Sequence, residues 1–226
     1  MRRLMYYLFA FVMISAFTFT SCKKDEEELE VDLNEDGLSE DITNLVPQEI
    51  LDEMETLGMT INGGGSPPSL AGTFHATPFI LKSSNIDSDT PGYSFADYFV
   101  TFSDQDNSYL KIKYSYTNGP ESGEGLGGFI VGEDNVFTVF VEVTAKAYEE
   151  EVTMVHVVSG KLLDDAIQDL YFANFMIDNN GNPNGYWIGD GQGRVIYDED
   201  GSSPKSSTSK TKSNKAGSAK QLKSAL

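Results

Sequence analysis

Polar side chains that could bind a metal ion occupy the predicted turn 178–185. Asp178, Asn180 and Asn182 place carboxylate and amide oxygens at alternate positions, and oxygen is the ligand that Ca²⁺ prefers in proteins. Asp and Asn are also common turn formers, because their side chains accept hydrogen bonds from nearby backbone. A calcium site on these three residues and a simple polar turn both stay open, and no other cofactor is expected.

Aromatic and polar side chains that could bind an organic ligand follow directly after this turn. Tyr186 and Trp187 are adjacent, and Asp190 and Gln192 come directly after them. An exposed aromatic ring can stack on a sugar while neighbouring acids and amides bond its hydroxyls. The four residues therefore predict a binding site for a glycan or a small apolar molecule. The alternative is a Trp buried in the core.

Other chemical motifs are incomplete. Residues 123–128 satisfy G-x-G-x-x-G, but they run into the predicted strand Phe129-Ile130-Val131, whereas a dinucleotide site needs a helix there. We interpret them as a hairpin loop. His156 alternates with Met154 and Val158, which is typical of a strand. No pattern predicts a nucleophile with an oriented base, and the acid pairs at 149–151 and 164–165 are interpreted as solvated turns. We therefore assign no catalytic residue and expect a protein that is not an enzyme.

A further acidic motif precedes the folded part. Residues 32–37 match the opening of an EF-hand loop, with Gly37 at the sharp turn. The twelfth position is Thr43 instead of the bidentate Glu. The run therefore predicts an acidic linker, with calcium binding as the alternative.

The elements that must position these residues are β-strands. Three consecutive runs, Val136–Thr144, Val152–Ser159 and Leu170–Ile177, are rich in β-branched and aromatic residues. Residues 109–116 alternate, with Leu110, Ile112, Tyr114 and Tyr116 predicted inward. Pro78 predicts an edge or a bulge.

The pattern predicts an all-β fold with eight or nine short strands, after one short N-terminal helix. Further strands are predicted at 72–77, 79–82, 96–103, 126–132, 186–189 and 193–197. An antiparallel up-and-down barrel is favoured over a β-sandwich, because ring closure removes exposed edges. The barrel domain spans 69–201. The helix Pro47–Leu57 and a Gly/Pro linker occupy 45–68.

Charge is distributed unevenly along the chain. The 226 residues contain 35 acids and 16 bases, and all acids lie between Asp25 and Asp200. Six of the bases lie in 205–226, in a stretch without acids. Residues 202–226 therefore predict a flexible basic tail. The acidic body should repel nucleic acid, so no nucleic-acid partner is expected.

The N-terminus predicts export. Arg2 and Arg3 precede the apolar run Leu4–Phe19, and Thr20-Ser21 precede the only cysteine, Cys22. This resembles a bacterial lipoprotein signal peptide over residues 1–21. The resemblance implies cleavage before Cys22 and lipidation of that residue, so the membrane is the expected partner at this end. An ordinary signal peptide with an incidental Cys is the alternative.

The residues after Cys22 predict where the protein is displayed. Lys23-Lys24 and the following acids resemble the surface-export signal of Bacteroidota lipoproteins. The expected location is the outer membrane, at the cell surface. A solvated charge run is the alternative. Residues 22–44 are interpreted as an acidic tether.

Several short motifs are shared with a family. They include Pro47-Gln48-Glu49-Ile50-Leu51, Gly127-Gly128-Phe129-Ile130, Phe137-Thr138-Val139-Phe140 and Gly191-Gln192-Gly193-Arg194-Val195. Over 45–201 the chain resembles a family of uncharacterised Bacteroidota surface lipoproteins. The resemblance implies the same location and a lipocalin-like barrel, and it transfers no catalytic residue.

Three functions stay open at this point. The first is capture of a small molecule or glycan at the barrel mouth. The second is a protein–protein role, for example as an accessory subunit of an outer-membrane uptake complex. The third and least favoured is hydrolysis by a pair of carboxylates.

Overall fold

The computed structural model describes residues 31–206, apart from the side chain of Leu126. The predicted signal peptide, Cys22 and most of the basic tail lie outside these residues. Two helices come first, α1 (Glu40–Leu45) and α2 (Gln48–Thr56). Ten strands follow: β1 (Gly72–Ala76), β2 (Phe79–Ser84), β3 (Tyr98–Asp106), β4 (Lys111–Asn118), β5 (Glu121–Glu133), β6 (Val136–Ala147), β7 (Glu150–Leu163), β8 (Ala166–Asp178), β9 (Gly193–Asp198) and β10 (Ser202–Ser206). Within 31–206, neither helix has the length and apolar character needed to span a bilayer.

Eight strands close into an antiparallel ring. The order is β10, β1, β3, β4, β5, β6, β7 and β8, and β8 pairs with β10 again. From β3 to β8 each strand pairs with the next strand in sequence. The predicted all-β, up-and-down barrel-like fold is therefore confirmed.

The ring closes through two bent strands. β1 and β2 are separated at Pro78, where the sequence predicts an edge or a bulge, and β9 and β10 are separated by the turn 199–201. β1 pairs with β3 and β10. β2 pairs with β9, and β9 in turn pairs with residues 171–175 of β8. At the end of the barrel near β2 and β9, the free edge of β2 bonds to the loop that follows it.

Strand alternation decides which side chains fill the barrel. In β6, Phe137, Val139, Val141 and Val143 point inward and are buried in the main core. In β4, Ile112, Tyr114 and Tyr116 are inward as predicted, and the lysines of the other face, at 111 and 113, are exposed. The prediction for Leu110 is wrong. It lies in the turn before β4 and packs outside the ring, in a second apolar cluster that also contains Leu38 and Ile42.

The N-terminal segment covers the outer face of the barrel. Leu38, Ile42 and Val46 pack with Leu51 and Met54 of α2 against outward side chains of β6 to β9, among them Phe140, Val157 and Val195. The backbone N–H of Asn62 donates to Thr138 Oγ1 at 2.7 Å. Strands β6 to β8 carry apolar residues on both faces, because the barrel core buries one face and the N-terminal segment covers the other.

The predicted acidic tether, residues 22–44, is wrong for its described part. Asn34 Oδ1 accepts the backbone N–H groups of Asp36 and Leu38, and Ser39 caps α1. Gly63 lies so close to this turn that a Cβ there would be 2.0 Å from the carbonyl oxygen of Asp36. The apolar residues Leu38 and Ile42 bury against the barrel, which offsets the acidic composition that suggested a linker.

Three further predictions need correction. Residues 202–206 form β10, which pairs with β1 and β8, although the composition predicts a flexible tail there. Residues 186–189 are not a strand, because Trp187 and Ile188 belong to a loop that folds into the barrel. The glycine run 123–128 lies within β5 and is not a hairpin loop.

Candidate functional site

Two loops close the end of the barrel near β2 and β9. Residues 85–97 fold back along β2, where the N–H of Leu81 donates to the carbonyl of Tyr93 at 2.8 Å. Residues 179–192 connect β8 to β9 and insert Trp187 and Ile188 into the core. Asn85 joins the loops by donating to the carbonyl of Gly191 and accepting from the N–H of Gly193. We call this end the mouth.

A narrow cleft enters the barrel at the mouth. Its free volume is about 420 Å³ when the space out to solvent is included. Six rings line it, namely Phe79, Phe95, Tyr98, Tyr116, Phe172 and Trp187, together with the polar side chains Asn118, Glu121, Asn174 and Arg194. The lining side chains are close together, and the enclosed part has room for about one or two water molecules. The mixture of aromatic and convergent polar groups is typical of a small-molecule site.

Glu121 is the carboxylate of this cleft. It is 8% exposed and accepts a hydrogen bond from the hydroxyl of Tyr116 at Oε1. Burial raises the pKa of Glu121 from its usual 4.5 to about 7, and the Tyr116 bond and the charge of Arg194 only partly oppose this rise. Close to neutral pH, Glu121 therefore exchanges its proton within an aromatic environment.

The glycines of β5 make room for this pair. Gly123 lies opposite Tyr116, and a Cβ at Gly123 would be 2.6 Å from Tyr116 Cε1 and 2.7 Å from Val143 Cγ1. Any side chain at 123 would displace the ring that donates to Glu121. Packing inside the barrel therefore explains the glycine at 123.

A second polar chain lies deeper in the barrel. The hydroxyls of Tyr98 and Tyr114 are 2.8 Å apart, and the Tyr114 hydroxyl is 3.0 Å from His156 Nδ1. Burial lowers the pKa of His156 to about 3, so the imidazole is neutral. Its ring packs edge-on against Tyr116 and Phe172, with centroids 4.7 and 4.8 Å away. His156 lines the barrel wall, as its position in the strand predicts.

A row of polar side chains crosses three strands beside the cleft. His156 of β7 lies opposite Asn174 of β8, and Asn174 lies opposite Arg194 of β9. Directly opposed residues have their Cβ atoms about 5 Å apart. The row therefore brings an amide and a guanidinium together in the interior, although Asn174 and Arg194 are 20 positions apart in the sequence.

Two buried polar atoms of the cleft residues have no hydrogen-bond partner within residues 31–206. They are the indole Nε1 of Trp187, which is a donor, and Oδ1 of Asn174, which is an acceptor. Trp187 is 5% exposed and Asn174 is 9% exposed. An unpaired buried donor or acceptor costs about 1–3 kcal/mol. A ligand that supplies one acceptor and one donor would remove both costs.

Arg194 links the barrel wall to the loop 85–97. Its Nε and Nη2 donate to Asp89 at 2.7 and 3.0 Å, and both side chains are nearly buried. Burial acts to raise the pKa of Asp89, but the hydrogen bonds and charge of Arg194 outweigh it, so the pKa stays below its usual value. The guanidinium also lies 5.7 Å from the centre of the Phe95 ring. The ion pair therefore fixes the loop that carries one wall of the cleft.

The four residues predicted to bind an organic ligand are at the mouth, in different environments. Trp187 lines the cleft, and Tyr186 packs against Tyr148 at the rim with ring centroids 5.1 Å apart. Asp190 Oδ1 accepts from the N–H of Asn179, and Gln192 Oε1 accepts from the N–H of Gly189. Trp187 is thus the member that reaches the cleft, while Asp190 and Gln192 hold the loop in shape.

The side chains of the three residues predicted to bind calcium form hydrogen bonds to backbone groups of the loop 179–192 and of β7. Asp178 Oδ1 accepts the N–H of Asn180, and the Asn180 amide donates to the carbonyl of Glu151. Asn182 bonds both the N–H and the carbonyl of Trp187. Within residues 31–206, no three His, Cys, Asp or Glu side chains are grouped as a metal site would require.

The cleft residues Glu121, Asn174 and Arg194 were not predicted from the sequence. Glu121 follows Asn118-Gly119-Pro120, which is typical of a solvated turn. Strand alternation could have indicated that Glu121 points inward. Glu121 and Gly123 are two positions apart and share a face of β5, and Gly123 lies opposite the inward Tyr116.

Comparisons of the chain with protein-family models, with curated proteins and with solved structures gave no match. The function must therefore be argued from the cleft itself.

Proposed function

We propose that this protein is a non-catalytic binding protein that holds a small molecule, or the end of a glycan, in the cleft at the barrel mouth. The main support is the pair of unpaired buried atoms, Trp187 Nε1 and Asn174 Oδ1, in residues that line the cleft. One donor and one acceptor suit a ligand with hydroxyl, ether or amino groups. The surrounding rings would cover its apolar faces.

The predicted location agrees with this role. A lipid on Cys22 would anchor the protein at the outer membrane, and the acidic surface favours neutral or cationic ligands over anionic polymers. A protein-docking role has less support, because the large hydrophobic side chains that are exposed are divided between the two ends of the barrel. Tyr148 and Ile177 lie at the mouth, whereas Tyr109 and Leu163 lie at the opposite end.

The hydrolase alternative has less support than ligand capture. Among the residues that line the cleft, Glu121 is the single carboxylate, whereas glycoside hydrolysis uses two. Asp198 is also buried, but its Oδ2 accepts the hydroxyl of Ser203.

The test is a ligand screen with a matched pair of variants. A panel of monosaccharides, oligosaccharides and small metabolites is screened by thermal shift and by NMR of the indole N–H signal of Trp187. Trp187→Phe keeps a ring but removes the donor, so we expect a loss of affinity of about tenfold. Tyr186→Phe, at the rim beside it, is the control and should bind normally. A panel without any binder that shifts the indole signal, or equal affinities in both variants, would refute the proposal.

A further inference from the structure

The cleft contains a buried carboxylate, Glu121, that forms no ion pair with a basic side chain of residues 31–206. Glu121 accepts a hydrogen bond at Oε1 from the hydroxyl of Tyr116, which is a neutral group. Arg194 is close enough to affect Glu121 electrostatically, but it is already paired with Asp89 through two hydrogen bonds. When all three groups are ionised, the set Glu121, Arg194 and Asp89 carries one net negative charge. Buried charges in proteins are normally paired.

The walls around this carboxylate suit a cation. The six rings of the cleft present π faces and edges, and the faces of Trp, Tyr and Phe attract ammonium groups. A carboxylate beside several aromatic rings can bind an organic cation, because both kinds of group attract positive charge. A neutral sugar would leave the charge of Glu121 unpaired.

We propose that the cleft at the mouth selects a small organic cation, with Glu121 as its counter-ion and the aromatic rings as its cage. This inference rests on the proposed function and names its ligand class. The ammonium group lies against Glu121 and the rings. An oxygen on the same ligand accepts from Trp187 Nε1, and a hydroxyl donates to Asn174 Oδ1, so that both unpaired atoms gain partners.

Entry of such a ligand requires movement at the mouth. The cleft is narrow, and two of its rings, Phe95 and Trp187, belong to the loops 85–97 and 179–192, whereas the other four belong to strands. Loops adjust more readily than paired strands. Displacement of these two rings is the expected route into the barrel.

Binding should depend on pH because the cation pairs with ionised Glu121. The titratable and charged groups around Glu121 are the hydroxyls of Tyr116, Tyr98 and Tyr114, neutral His156 behind Tyr116, and the Arg194–Asp89 pair. Burial raises the tyrosine pKa values and lowers that of His156, so these groups keep their charge between pH 6 and 8. Over this range the ionised fraction of Glu121 rises about tenfold, and the affinity should rise by the same factor.

The probe is choline, whose quaternary ammonium does not titrate, and the matched neutral probe is 3,3-dimethylbutan-1-ol, which has carbon in place of nitrogen. Both are titrated into the full-length protein in detergent and followed by calorimetry and NMR at pH 6, 7 and 8. We expect choline to bind more tightly than the neutral isostere by at least about tenfold at pH 8. The advantage should shrink at pH 6.

Two variants test the role of Glu121. Glu121→Gln keeps the shape and should remove both the preference for choline and its pH dependence. Glu124→Gln removes an exposed carboxylate from the same strand and should bind as the wild type does. Tyr116→Phe removes the hydrogen bond to Glu121, which raises its pKa, and should move the pH profile upward.

The outcomes separate this inference from the proposed function. Equal binding of the two probes, or choline binding unchanged in Glu121→Gln, would overturn the cation proposal. If a neutral ligand from the panel still binds and is weakened by Trp187→Phe, the proposed function stands without it. If neither choline nor any panel member shifts signals of the cleft residues, both are refuted.

Discussion

The buried carboxylate of Glu121 should make the stability of the protein depend on pH in a direction opposite to that of most acids. Unfolded, this residue loses its proton near pH 4.5, but in the barrel its pKa is about 7. Between these values the folded state binds more protons than the unfolded state. The stabilising contribution of the protonated side chain is therefore complete below pH 4.5 and is lost as the pH rises through 7.

The size of this effect follows from the two pKa values. At about 1.36 kcal/mol per pH unit, the rise from 4.5 to about 7 corresponds to about 3 kcal/mol of unfolding free energy. In Glu121→Gln the amide oxygen can still accept the Tyr116 hydroxyl, and no charge is buried. Relative to the wild type, the variant should gain about 3 kcal/mol between pH 4 and pH 8.

The assay is urea unfolding of the chain from Asp25 onward, followed by tryptophan fluorescence and circular dichroism. Other groups with shifted pKa values, such as Asp198, occur in both proteins, so their contributions cancel in the difference. Glu124→Gln, on the exposed face of β5, controls for the loss of one negative charge. A wild-type-minus-variant difference that is the same at pH 4 and pH 8 would refute the reasoning about Glu121.

Three further perturbations test the packing around the cleft. Gly123→Ala should destabilise the barrel by about 1–3 kcal/mol in urea unfolding, because its Cβ would overlap the ring of Tyr116. Asp89→Asn should cost about 3–5 kcal/mol in the same assay, because it removes the charge of the carboxylate that is hydrogen-bonded to the nearly buried guanidinium of Arg194. Deleting 202–226 should unfold or aggregate the protein, as judged by circular dichroism and gel filtration. The deletion removes β10, the strand that pairs with β1 and with the first residues of β8.

Each of these has a matched comparison. Gly127→Ala should be close to neutral, since a Cβ there has no atom within 4 Å, and equal losses at 123 and 127 would contradict the packing argument. Asp87→Asn removes an exposed acid from the same loop as Asp89 and should be silent. A chain that ends at Ser206 keeps β10, so a fold as poor as that of the chain ending at Gly201 would show that β10 does not close the barrel.

The fold could be predicted largely from local patterns. The alternation in β4 and the apolar runs of β6, β7 and β8 reflect the two-residue period of a strand, which is visible without tertiary information. The helix predicted at Pro47–Leu57 appears as α2, with Pro47 at its N-cap and Gly58 in the left-handed region after it. These signals are local, so neighbouring residues in the sequence suffice to recognise them.

The errors came from segments whose structure depends on distant partners. Residues 202–206 have the composition of a flexible tail, yet they become β10 because β1 and β8 offer free edges there. Residues 31–44 look like a tether, but Leu38 and Ile42 find an apolar surface on the outside of β6 to β9. Composition cannot show that such an edge or surface exists elsewhere in the chain.

The sequence by itself determined the strand pattern, the order of the hairpins and the expectation of an exported, acidic protein. Only the tertiary structure decided the cleft. Glu121, Asn174 and Arg194 come from three strands, and closure of the ring turns them inward together beside Trp187. The physical reason is that the chemistry of the cleft depends on burial and on missing partners. Both are properties of the space between strands, and a run of residues read along the chain does not contain them.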